Sequence, residues 1–210
     1  MDERVMNMFN RLDSTTYNHS VRVMAIATEI EEFLSINDNY LSSAALLHDI
    51  GKIYIPHAIL DKVGKLDDIE REIIDLHPYI GYRILNNAGI NEKISRIVLF
   101  HHGFNPATIQ NVCKCNDQYV IEMSKLLHSI DVFEALTSDR PYHRGVPARE
   151  ALRIMENDGT HHPEVVKYIT HILNGAQDNS SAIHRFQKNE SNDMFYHFIN
   201  TNIENMSLVI

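Results

Sequence analysis

The stretch Leu46-Leu47-His48-Asp49-Ile50-Gly51-Lys52 sets an imidazole and a carboxylate side by side at the end of an apolar run that begins at Leu41. Burying that pair is costly, and a metal ion shared between the two groups would offset the cost. Gly51 suits a helix C-terminus, where a positive φ is often needed. Lys52 follows beside the pair, where it can meet an anionic substrate. Taken alone, His48 and Asp49 also read as two polar groups hydrogen-bonding at a helix end, so the rest of the chain must decide.

Outward from this stretch the sequence reads as nearly all helix. Asp13-Ser14-Thr15-Thr16 offers N-cap chemistry for a helix running to about Leu34, with Val23, Ile26, Ala27 and Ile30 at helical spacing. Ile36 to Asn39 is a turn, and the next helix ends in His48-Asp49. Ile53 to Leu66 has no helical period, and Pro56 and Gly64 mark it as an ordered loop. Asp67-Asp68-Ile69-Glu70 resembles a capping box. Pro78 puts His77 at a helix junction, before a helix that ends at Ala88-Gly89. Asn91 to His101 is amphipathic and closes in His101-His102-Gly103. An irregular segment follows to Asp117, then a long helix from about Tyr119 to Ser138. Pro147 and Pro163 open two further helices, reaching about Glu156 and Leu173. The expected organisation is one domain over residues 1–175, then a polar linker and helical tail over 176–210.

Composition removes several classes of function. A formal net charge of -9 argues against a nucleic-acid or membrane surface, which usually needs a basic face. No apolar run approaches the about 20 residues of a membrane span. Cys113 and Cys115 lie too close in sequence for a good disulfide, so no secretory framework is implied. Asp2, Glu3 and Arg4 do not resemble a secretory leader, so a cytoplasmic protein is expected. The 13 His residues direct attention to metal chemistry.

Metal-competent residues recur at the ends of successive helices: His19, His48-Asp49, His77, His101-His102 and Asp131. Helical bundles bring such positions to one central point. His101 and His102 point about 100° apart on an ideal helix, so both can ligate only near the helix end. Asp131 lies among Leu127, Ile130, Val132 and Phe133, where an unpartnered carboxylate is costly. This set exceeds the needs of one ion and suits two, with Asp49 bridging. Two metals about 3.5–4 Å apart can hold a bridging hydroxide for in-line attack on phosphorus. His57, His128, His161, His162, His171, His184 and His197 fall outside the ordered set and read as surface residues.

His19, the Leu46–Lys52 stretch, His77-Pro78, His101-His102 and Asp131-Val132-Phe133-Glu134-Ala135-Leu136-Thr137-Ser138-Asp139-Arg140-Pro141-Tyr142 together resemble the HD-GYP branch of the HD-domain phosphohydrolases. The resemblance spans roughly Asp13 to Leu173. It implies an all-α bundle with a central metal site between helices, holding two divalent ions, commonly iron or manganese. It further implies a phosphodiesterase hydrolysing a cyclic dinucleotide such as cyclic di-GMP. By position, His19, His48, Asp49 and Asp131 would hold one metal, and Asp49, His77, His101 and His102 the other. Lys52 would meet the scissile phosphate, with Arg140 and His143 as further substrate contacts.

Two departures stand out. Three-metal members carry a Glu four residues before the first His, where this chain has Thr15, which favours two metals. The family's Gly-Tyr-Pro segment is replaced by Gly103-Phe104-Asn105-Pro106-Ala107-Thr108-Ile109-Gln110. Another nucleotide phosphoester as substrate, or a non-catalytic metal-containing module, therefore stay open. About a dozen residues precede Asp13, too few for a receiver domain, so the expectation is either a protein that stands alone or one regulated by association with a protein partner or a second copy.

Overall fold

A computed structural model describes residues 3–103, 116–139 and 144–175. These form α1 (Glu3–Phe9), α2 (Ser14–Phe33), α3 (Tyr40–Leu47), a 3-10 turn (Ile50–Tyr54), α4 (His57–Leu60), α5 (Asp68–Ile74), α6 (His77–Asn87), α7 (Glu92–Phe100), α8 (Gln118–Thr137), α9 (Ala148–Asp158) and α10 (Pro163–Gly175). No strand occurs among the described residues.

The all-α expectation holds, and side-chain caps open α2, α5, α7 and α8. Asp13 accepts from Thr16 N at the start of α2. Asp67 and Glu70 form the complete capping box of α5. Asn91 caps α7, and Asp117 caps α8. Gly159 ends α9 in the left-handed region, with φ 69°.

The core is built around α3, whose residues Leu41 to Leu47 are all buried. A helix surrounded on every side shows little amphipathicity, and here small residues, Ser42, Ser43, Ala44 and Ala45, let neighbours approach closely. Helices α2, α7 and α8 pack against it, with α6 behind α7 and the 3-10 turn. Helices α9 and α10 cover α8 through Ala151, Met155, Val165 and Leu173. A non-local carboxylate caps α3: buried Glu31 of α2 accepts from Ser42 N at 3.1 Å.

Two expectations need correction, and one element is new. Gly51 does not have a positive φ. It is needed because a Cβ there would lie 2.0 Å from the His77 carbonyl oxygen, where the 3-10 turn meets α6. The segment from Ile53 is more regular than a loop: the 3-10 turn runs to Tyr54, and Pro56, with φ -57°, leads into the single turn of α4. Helix α1 is an addition, seven residues long and held by fully buried Val5 and Phe9. So short a helix is not stable by propensity and forms because the core covers it.

Candidate metal centre

The sequence-predicted ligands reach the centre from five helices. His19 lies early in α2. His48 is the C-cap of α3, and Asp49 leads into the 3-10 turn. His77 begins α6, with Pro78 tolerated in the first turn. His101 is the C-cap of α7; the helix ends there, and the chain turns through Gly103 at φ 89°. That ending brings both rings of the pair to one place, with centroids 4.0 Å apart. Asp131 lies on α8.

The rings are oriented by what their outer nitrogens meet. Nδ1 of His48, His77 and His101 lies 2.7, 2.6 and 2.7 Å from the carbonyl oxygens of Ala45, Ile74 and Val98. A carbonyl can only accept, so each Nδ1 carries the proton and each Nε2 offers a lone pair to the centre. His77 Nε2 and His101 Nε2 stand 3.4 Å apart, and with both protons on Nδ1 neither nitrogen donates to the other.

Asp49 sits between two groups. Its Oδ2 is 3.8 Å from His19 Nε2 and 3.4 Å from His48 Nε2, and its Oδ1 is 3.3 Å from His77 Nε2. Asp131 Oδ1 lies 2.9 Å from His19 Nε2 and 3.9 Å from His48 Nε2. The ligand atoms of His19, His48 and Asp131 lie within 4.8 Å of one another, as do those of His77, His101 and His102, and of His48, Asp49 and His101. Asp49 is 1% exposed, and its Oδ1 is buried with no hydrogen-bond partner. An orphaned buried carboxylate oxygen amid imidazole lone pairs is a donor set that fits divalent transition-metal ions.

Protonation follows the same division. Burial, and the crowding of the His102, His48 and His77 imidazoles around it, hold His101 well below the usual imidazole range. Burial likewise takes His77 down to about 3. Both are therefore neutral, as metal ligation requires. Burial opposes ionisation of Asp49, yet the Lys52 ammonium beside it, with the His48, His77 and His19 imidazoles around it, outweighs that cost and keeps it ionised. His19 is the exception: burial opposes its charge, but hydrogen bonds to Asp131 and Glu134 raise it to about 9. A cation at the centre must displace that proton. Lys52 Nζ donates to Asp49 Oδ2 at 2.7 Å and keeps 23% of its side chain exposed, so the ammonium stands at the rim.

Two features were not anticipated. Glu134 is 2% exposed and contacts His19 Nδ1 through Oε2; Arg22 Nε and Ser138 Oγ each donate to its Oε1 at 2.5 Å. Burial opposes its ionisation, but the His19 hydrogen bond, with the His19 and Arg22 charges, lowers it to about 2. The signal was available, since Glu134 shares the apolar setting that singled out Asp131. His128, His161 and His162 are half-buried rather than surface residues. The His128 ring lies 6.2 Å from His102 and 6.0 Å from His161, and His162 Nε2 lies 3.1 Å from Glu122 Oε2. His57 and His171 are exposed as expected. Arg140, His143, Cys113, Cys115, His184, His197 and the tail 176–210 lie outside the described residues.

Comparison with known proteins places this geometry. The HD domain family matches residues 16–139. A cyclic di-GMP phosphodiesterase of Pseudomonas aeruginosa is 35% identical over 160 residues, covering 74% of this chain and 38% of that protein. A 3'3'-cGAMP-specific phosphodiesterase of Vibrio cholerae is 35% identical over 146 residues, covering 68% and 32%. A cyclic di-GMP phosphodiesterase of Thermotoga maritima is 35% identical over 173 residues, covering 78% and 46%. The chain thus spans 32–46% of the length of these relatives. The HD domain of the L. monocytogenes phosphodiesterase PgpH, solved with cyclic-di-AMP, shares the fold at TM-score 0.55 and 19% identity, over 80% of this chain and 92% of that one. No helix among the described residues is long and apolar enough to cross a membrane. With the family match covering more than half of its residues and these relatives beside it, the chain belongs to the HD-domain family.

Proposed function

We propose that this protein is a metal-dependent phosphodiesterase that hydrolyses a cyclic dinucleotide to its linear form. The observation that carries the proposal is Asp49: one oxygen faces His19 and His48, and the other, without a hydrogen bond, faces His77. We assign His19, His48, Asp49 and Asp131 to one divalent ion, and Asp49, His77, His101 and His102 to a second, with iron or manganese as the metals. When bound, such ions polarise a phosphoryl oxygen and acidify water for in-line attack on phosphorus.

The chain's own groups do the rest. The carbonyl-held imidazoles keep their lone pairs aimed inward without reorganising during the reaction. Asp49 stays ionised and joins the two halves of the centre. The Lys52 ammonium, at the rim and bound to Asp49, is the cation that an incoming phosphodiester meets, and a phosphate oxygen competes with Asp49 for it. Arg140 and His143 are proposed as further phosphate contacts on their sequence positions alone. A cytoplasmic setting, a domain over 1–175 with a separate tail, and association through that tail complete the proposal.

The direct test is incubation of manganese- or iron-loaded protein with cyclic di-GMP, 3'3'-cGAMP and cyclic di-AMP. Linear dinucleotide is expected from at least one, and Asp49→Ala is expected to abolish it with the helical circular dichroism unchanged. No product from any of the three, under reducing and oxidising conditions, sinks the proposal. The segment after His102 lacks the family's Gly-Tyr-Pro motif, which motivates including all three substrates.

A further inference from the structure

The four histidines whose outer nitrogens are fixed do not share one kind of partner. His48, His77 and His101 each use the carbonyl three residues earlier. They can do so because they follow helix ends, where the last carbonyls have no intrahelical donor. His19 has no such option. It sits inside the 20-residue helix α2, where the carbonyls of the preceding turn serve the helix. Its outer nitrogen instead meets Glu134 from α8.

Glu134 is placed for this by helical spacing. Asp131 and Glu134 stand one turn apart on α8 and flank opposite nitrogens of the same ring, Asp131 at Nε2 and Glu134 at Nδ1. His19 and Arg22 stand one turn apart on α2, and Arg22 with Ser138 fixes the remaining Glu134 oxygen. A carboxylate behind a ligating imidazole sets its tautomer and strengthens it as a donor, which a backbone carbonyl does less. The His19 half of the centre thus gathers Asp49, Asp131 and Glu134, whereas the other half has Asp49 and three imidazoles.

We infer that Glu134 is a positioning residue for His19, and that it makes the His19–Asp131 half the tighter of two metal sites. This rests on the two-metal reading proposed above. The test is manganese titration of the metal-free full chain by equilibrium dialysis, with thermal stability followed in parallel. Glu134→Gln should weaken one of the two binding events by about 10–100-fold and leave the other unchanged. In a His77→Ala background, which spares only the His19 half, the same substitution should weaken the single remaining event by a similar factor. Glu122→Gln is the control: it removes an acid from the same helix α8, but one that contacts His162 rather than His19, and its titration should stay within about threefold of the parent. A Glu134→Gln protein that binds both ions as tightly as the parent overturns the inference alone. So does a Glu122→Gln protein that loses as much affinity as Glu134→Gln. A parent chain that takes up no metal overturns the two-metal reading and this inference with it.

Discussion

At the scale of single residues, two buried acids take opposite courses for identifiable reasons. Asp49 is surrounded by Lys52 and three imidazoles and stays ionised. Among the described residues no cation pairs with Glu31. Burial raises it to about 7 despite its hydrogen bonds to Ser42, and its Oε2 is left without a partner. An acid raised on folding favours the native state below its unfolded value of 4.5, and that contribution is lost as pH rises through 7. The loss at pH 8 is of the order of 3 kcal/mol. Glu31→Gln keeps an acceptor for Ser42 N and removes the charge. Urea unfolding should show the variant more stable than the parent at pH 8, with the difference vanishing below about pH 4.5. Lys52 gives a second residue-level prediction. Lys52→Met should lower kcat by about 10²–10³-fold, as expected for loss of a charged donor at a phosphoryl group, while metal content stays unchanged.

At the scale of elements, helix ends do most of the positioning. The ends of α3, α5 and α7 supply carbonyls to three imidazoles, and the close contact of Gly51 with His77 sets α6 against the 3-10 turn. Gly51→Ala forces a Cβ into the His77 carbonyl, 2.0 Å away, and backbone must yield. The expected cost is about 3 kcal/mol by chemical denaturation, with weakened metal binding because His77 moves. These ends were legible beforehand wherever a cap or a proline marks them, as at Asp13, Asp67–Glu70, Asn91 and Pro163. What could not be read was any contact made across the fold. The role of Gly51, the Glu31 cap on α3 and the burial that sustains α1 all depend on residues distant in sequence. The clustering of His19, His48, Asp49, His77, His101, His102 and Asp131 was legible as an ordered set of ligand types. Their orientation was not, because it depends on Ala45, Ile74, Val98 and Glu134. His128 and His161 were misplaced because no local pattern reveals that α8 and the turn before α10 meet.

At the scale of the whole molecule, the core brings many ionisable groups to one buried point, and their mutual charges are a standing cost without a cation. Metal that binds only the native centre should therefore stabilise the entire fold. At a free concentration 100 times the dissociation constant, each site contributes about 2.7 kcal/mol, a rise in Tm of about 5–10 °C for a chain of this size. Calorimetry with and without manganese checks this, and a chelator should reverse it. Asp49→Ala should abolish most of the gain, since that residue serves both halves.

The central claim is a two-ion centre joined by Asp49, and metal content tests it most directly. Elemental analysis of protein purified without oxygen should find about two iron or manganese ions per chain, falling to one or none in Asp49→Ala with the fold intact. A parent protein without bound metal after reconstitution, or an Asp49→Ala protein that retains the full complement, would contradict it.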